Sequence, residues 1–91
     1  MSENKEKDKR VLLLYSTPGC HLCDLAKSLV DKTLLSEQLT LNIIDIANDD
    51  DLFEKYGISI PVIQFADTQQ ELFWPFDMEA LELFLTRSSP A

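Results

Sequence analysis

The run Val11–Ser16, VLLLYS, is apolar almost without a break yet too short for a helix, and just beyond it the apolar positions change period. A short continuous run of this kind suits a central strand covered on both faces. From Cys20 onward Leu22, Leu25, Ala26, Leu29 and Val30 recur at the i, i+3, i+4, i+7, i+8 spacing of an amphipathic helix. The segment TPGC between them, Thr17–Cys20, is therefore a strand-to-helix junction, and the helix opens at a cysteine motif.

The rest of the chain continues the alternation. Leu39–Ile46, LTLNIIDI, alternates Leu39, Leu41 and Ile43 before turning apolar on both sides, and its β-branched content predicts a second strand. The segment NDDDLFEKYG predicts a short second helix: Asn48 or Asp49 is the N-cap, the acids suit the positive end of the helix dipole, Leu52, Phe53 and Tyr56 share a face, and Gly57 terminates it. A calcium loop is a poor account of the same aspartates, because the glycine and the bidentate glutamate such a loop requires are not in place. After Pro61, VIQFA predicts a third strand, DTQQ a turn and ELFW a fourth strand in hairpin with the third. In FDMEALELFLTR, Asp77 caps a third helix, Phe76 staples onto Leu81, and Leu81, Phe84 and Leu85 form its buried face. The order β-α-β-α-β-β-α predicts an α/β fold: a four-stranded mixed sheet, with one parallel crossover and one hairpin, covered by helices on both faces.

Ninety-one residues suffice for one core without a disulfide framework or structural metal. Residues 1–10 are polar and mixed in charge and read as a solvated tail on a single domain spanning 11–91. A net charge of −8 repels polyanions, so nucleic acid is not an expected partner. No apolar run approaches membrane-spanning length and none stands behind the polar start, so no membrane association is expected and the expected compartment is a reducing cytoplasm.

In that setting the only two cysteines, Cys20 and Cys23, are read as redox-active or metal-binding rather than structural. At a helix N-terminus, unpaired N–H groups and the helix dipole favour the Cys20 thiolate. Cys23 lies one turn deeper on the same face, which suits a resolving thiol. A closed zinc site needs four ligands, and the pair falls short of that, with His21, the only histidine, pinned between them. No metal is expected in a monomer; a site shared between two copies stays open. A protonated His21 beside Cys20 favours the thiolate, and an exposed residue of the first helical turn is the plainer account of it. Asp24 and Lys27 read as solvated charges, and Asp45 either as a proton acceptor or as a residue at a strand exit.

The segments YSTPGCHLC and GISIPV, with the cysteines at the strand-to-helix junction, resemble the glutaredoxin branch of the thioredoxin fold, particularly its small glutaredoxin-like proteins. The resemblance implies that Cys20 attacks a substrate disulfide, that Cys23 resolves the mixed disulfide, that Pro61 is a cis-proline facing them, and that the backbone of Ile60 pairs with the substrate. It implies a thiol–disulfide oxidoreductase acting on a disulfide-bearing protein or small thiol substrate, with a reductase or glutathione as electron donor and no bound cofactor.

Three positions depart from the glutaredoxin pattern. Thr17 stands where many glutaredoxins carry a basic residue, removing one source of thiolate stabilisation. Trp74-Pro75-Phe76 occupies the place of the Gly-Gly turn that receives the carboxylate of glutathione, and His21-Leu22 replaces the common Pro-Tyr. Thr17 and Trp74 are thus candidate substrate-binding positions, with Trp74, Pro75 and Phe76 forming either a lip to the site or a cover over the sheet edge. Glutathione is expected to be at most a weak co-substrate. A different class of function, a module binding a peptide or an iron–sulfur cluster between subunits with little turnover, stays open at this point.

Overall fold

The computed structural model describes residues 9–33 and 36–87. Strand β1 (Arg10–Ser16) leads into helix α1 (His21–Lys32), a 3₁₀ turn (Ser36–Gln38) precedes β2 (Leu39–Asp45), and helix α2 (Asp50–Tyr56) precedes the hairpin β3 (Val62–Phe65) and β4 (Glu71–Phe73). Helix α3 (Met78–Arg87) completes the order. The sheet runs β2-β1-β3-β4, with β1 parallel to β2 and antiparallel to β3, and β3 antiparallel to β4. This is the α/β arrangement that the apolar periods predict.

Because strand side chains alternate, β1 divides its residues between two cores. Leu12 and Leu14 join Ile63 and Phe65 of β3 against Ala26 and Val30 of α1 and Leu81 and Leu85 of α3. Tyr15 and Val62 point the other way, onto Tyr56 of α2 and Ile46. Helices therefore cover both faces, and β1 is buried on both, which is why its sequence shows no alternation.

The caps follow the sequence. The Asp49 side chain accepts the Leu52 N–H at 3.1 Å, and Asp77 accepts the Ala80 N–H at 2.8 Å, so each helix start has a donor satisfied. Phe76 is buried with Leu81, as a staple requires. Gly57 does end α2, but in a right-handed backbone (φ −53°) rather than a left-handed one. Its lack of a side chain matters for space: a Cβ there would stand 2.5 Å from the Phe53 carbonyl oxygen.

Four expectations are corrected. Leu22 and Leu25 are 45% and 53% exposed, and the buried line of α1 is Cys23, Ala26 and Val30. That line has the same period one residue on, so a helix that opens at the cysteines aims Cys23 inward and the leucines outward. Phe53 is likewise half exposed, leaving Tyr56 and partly buried Leu52 as the inner face of α2. Phe84 is only partly buried, stacked on Phe65 with ring centroids 5.1 Å apart. Arg10 belongs to the sheet rather than the tail: it pairs with Leu39, and its guanidinium lies 3.6 Å from the centre of the Phe65 ring. The rest of the tail, apart from Lys9, lies outside the described residues.

Among the described residues no helix is long and apolar enough to cross a membrane.

Candidate functional site

The strand register fixes which residues meet at the end of the sheet where β1 stops. Ser16, the last residue of β1, pairs with Asp45 of β2. On the other side Tyr15 pairs with Val62, and Val62 with Phe73, which puts Pro61 and Trp74 one step further along, level with Ser16. The Trp74 N–H donates to the Pro61 carbonyl at 3.2 Å, closing that row. Asp45, Ser16, Pro61 and Trp74 thus form a line across all four strands, and Thr17–Cys20 rises from its middle.

Thr17–Cys20 is a tight turn. The Cys20 N–H donates to the Thr17 carbonyl at 3.3 Å, and Gly19 holds a φ of +81°. Side chains other than glycine are strained there, so this glycine sets the path by which the chain reaches the helix. Cys20 has extended backbone and is the N-cap of α1; its Sγ accepts the Cys23 N–H at 3.1 Å. Cys20 and Cys23 form a disulfide with Cα atoms 5.2 Å apart. Their environments differ: Cys20 is partly exposed and Cys23 is only 3% exposed.

An N–H aimed at Cys20 Sγ from the first turn of a twelve-residue helix is the geometry that stabilises a thiolate once the disulfide is opened. The segment Thr17–Asp24 carries no lysine or arginine. His21 is exposed on the first turn.

The candidate residues divide in use. Pro61 is buried behind a cis Ile60–Pro61 bond. Ile60 is partly buried and packs on the Tyr15–Tyr56 side, and its N–H is already donated to the Tyr56 carbonyl at 3.1 Å. Thr17 contributes its carbonyl to the turn and also lines a cleft with Ser16, Pro18, Ile43 and Asp45. Trp74 packs partly into the core against Phe76, edge to face with centroids 5.0 Å apart, and the Trp74–Pro75 bond is also cis. Phe76 is 7% exposed and belongs to the core, while Trp74 and exposed Pro75 remain at the surface. Asp45 is exposed and accepts the Ala47 N–H at 2.8 Å, the geometry of a strand exit. Lys27 and Asp31, one helical turn apart, pair at 3.0 Å on the surface.

Sequence reasoning missed a cluster on the opposite face. Tyr15 and Tyr56 stack with centroids 4.4 Å apart. The Tyr15 hydroxyl donates to Gln64 at 2.8 Å, Gln64 donates to Glu71 at 3.0 Å, and the Tyr56 hydroxyl donates to the same Glu71 oxygen. Burial, reinforced by the Glu71 charge, pushes both tyrosines above their ordinary pKa. The one signal was the polar pair Gln64 and Glu71 within apolar strands. Among the described residues no group of three or more His, Cys, Asp or Glu side chains is placed to hold a metal ion.

Comparison with known proteins places this geometry. Protein XcR50 from X. campestris, known from an X-ray structure, is 31% identical over 86% of this chain and 99% of its own, with a TM-score of 0.77. Protein Ne2328 of Nitrosomonas europaea is 25% identical over 84% of this chain and 91% of its own, with a TM-score of 0.63. Oxidised thioredoxin O2 of Arabidopsis thaliana, at 17% identity, shares the fold over 96% of this chain and 81% of its own, with a TM-score of 0.63. No curated protein gives a significant match. The thioredoxin likeness shows the fold, while the family model described as Glutaredoxin-like domain (DUF836) matches residues 11–86, and the chain therefore belongs to this glutaredoxin-like family.

Proposed function

We propose that the chain is a thiol–disulfide oxidoreductase in which Cys20 attacks and Cys23 resolves. The observation that carries this reading is the unequal burial of a bonded pair at a helix start: Cys20 is reachable and Cys23 is not. In the reduced protein the Cys20 thiolate attacks one sulfur of a substrate disulfide, and the other sulfur leaves as a thiolate that takes up a proton. Cys23, losing its proton, then attacks Cys20 Sγ, releasing the substrate as a second thiol and closing the Cys20–Cys23 bond. Two electrons pass from the protein dithiol to the substrate, and an external reductant must restore the dithiol.

Glutathione is a weak partner in this reading. Its net negative charge meets a chain of net charge −8. The segment where glutaredoxins offer backbone donors has none at Pro75, and the Trp74 N–H is donated to Pro61. A disulfide in another protein is the better substrate, and reduction by a thioredoxin-type reductase the better supply of electrons.

Single substitutions test the roles. Cys20→Ser is expected to abolish reduction of a protein disulfide, while Cys23→Ser is expected to retain attack and accumulate a mixed disulfide visible by mass spectrometry. Equal trapping by both variants, or faster alkylation of Cys23 in the reduced protein, overturns the assignment. Robust turnover with glutathione and glutathione reductase, alongside none with a protein disulfide, overturns the substrate order.

A further inference from the structure

On the β2 side of the active turn, away from Pro61 and Trp74, lies a cleft of about 210 Å³ lined by Ser16, Thr17, Pro18, Ile43 and Asp45. We infer that this cleft is a subsite for a lysine or arginine side chain flanking the reactive cysteine of the substrate protein; the inference rests on the oxidoreductase reading above.

Position is the first ground. Ile43 and Asp45 are two apart on β2, hence on one face, and their partners Leu14 and Ser16 belong to the face of β1 that turns toward α1. Thr17, a wall of the cleft, holds Cys20 through its carbonyl. A side chain seated in the cleft is therefore within a residue or two of a cysteine that reaches Cys20.

Size is the second. The volume falls below the roughly 300–1,000 Å³ of sites that enclose whole small molecules, so the cleft has room for one long side chain. Composition is the third. Ile43 is 51% exposed, and with Pro18 it offers an apolar wall. Asp45 puts one carboxylate at the rim; one of its oxygens accepts the Ala47 N–H, and among the described residues no cation pairs with it. Lysine and arginine have this composition in reverse: an apolar stem that lies along hydrophobic surface and a cationic head that reaches a carboxylate. An acidic neighbour in the substrate meets like charge, and a short polar one leaves Ile43 uncovered.

The test uses single-turnover reaction of the full-length, reduced protein with three acetylated, amidated peptides. They are identical except for arginine, glutamine or glutamate next to one cysteine, which is blocked as a mixed disulfide with neutral 2-thiopyridine. Cys20 attacks the peptide sulfur and thiopyridone leaves, which gives the optical signal; Cys23 then frees the peptide thiol. The arginine peptide is expected to react roughly three- to fivefold faster than the glutamine peptide at low salt, the range of a screened surface ion pair, and the glutamate peptide slowest. Asp45→Asn keeps an acceptor for the Ala47 N–H, so the strand exit is preserved, and is expected to bring arginine and glutamine together. Asp45→Lys is expected to reverse the order of arginine and glutamate, and added salt to compress it in the native protein. Equal rates for all three peptides, or an arginine preference that survives both substitutions, overturns the subsite while leaving the oxidoreductase reading intact. Absence of thiopyridone release from every peptide overturns both.

Discussion

The two faces of the sheet solve burial in opposite ways. Under α1 and α3 the clustered core is apolar, from Leu12 and Leu14 through Phe65 to Leu81 and Leu85, and the polar contacts lie at its edges: Arg10 with Asp67, and buried Thr33 at the end of α1 donating to Glu82 of α3 at 2.9 Å. Under α2 a carboxylate and two phenols are drawn into the packing, Glu71 accepting from both Tyr56 and Gln64. Both α1, which carries the disulfide, and α3 rest on the dry face, where stability depends on shape and a lost side chain leaves a void. On the other face it depends on satisfied partners, and a lost partner leaves a polar group stranded.

Breaking the dry face costs most. Leu14 is 1% exposed and lies in the same core as Ile63 and the α1 residues Ala26 and Val30. Leu14→Ala is expected to lower stability by about 3–4 kcal/mol. The corresponding fall in melting temperature is roughly 4–8 °C per kcal/mol for a domain of this size, measurable by calorimetry. A loss below 1 kcal/mol means that the α1 face is not close-packed.

Tyr56→Phe keeps the ring that stacks on Tyr15 and removes only the hydroxyl given to Glu71. An expected loss of about 1.5–2 kcal/mol at neutral pH follows from removing a hydrogen bond to a charged group. This face also has a pH signature. Both tyrosines have folded-state pKa values raised by burial and by Glu71. The unfolded chain releases those protons near pH 10 while the folded chain still holds them, so native stability is full below about 10 and falls as pH rises further. Urea denaturation in steps from neutral to alkaline pH is expected to show a steeper fall in the native protein than in Tyr56→Phe, the two curves converging. Parallel curves remove the network from the account of this face.

The difference between the faces also explains what could be read in advance. Periods in the apolar residues give strand order and helix number because those follow from which positions avoid water, and caps such as Asp49 and Asp77 are local. The disulfide was legible as a site because its address, a strand-to-helix junction, is set by the same periods. The phase of α1 was not. Leu22 and Leu25 satisfy a helical stripe as well as Cys23, Ala26 and Val30 do, and only packing on β1 decides between them. The Glu71 network was illegible because its members come from β1, α2, β3 and β4, with no spacing to connect them. The cleft at Asp45 depends on a register between β1 and β2 that no single segment carries.

The smallest expected effect is at the rim of the dry face. Arg10 offers two nitrogens to the Asp67 carboxylate, at 3.0 and 2.8 Å, while its guanidinium covers Phe65. Arg10 holds the Asp67 carboxyl below its ordinary pKa. A depressed carboxyl stabilises the fold above the unfolded value near 4, and that share is lost as pH falls through the folded value. The Asp67 side chain is 43% exposed, so water and salt screen most of the attraction. Arg10→Gln is expected to cost about 0.5–1 kcal/mol at neutral pH, part of it from the lost cover over Phe65 rather than the charge. Added salt separates the two: it is expected to narrow the gap between Arg10→Gln and the native protein without closing it, because stacking on the ring persists when the ion pair is screened. A gap that closes completely assigns Arg10 to electrostatics alone, and one that exceeds the Tyr56→Phe loss means that charge at the rim of the apolar face matters more than the carboxylate packed within the other.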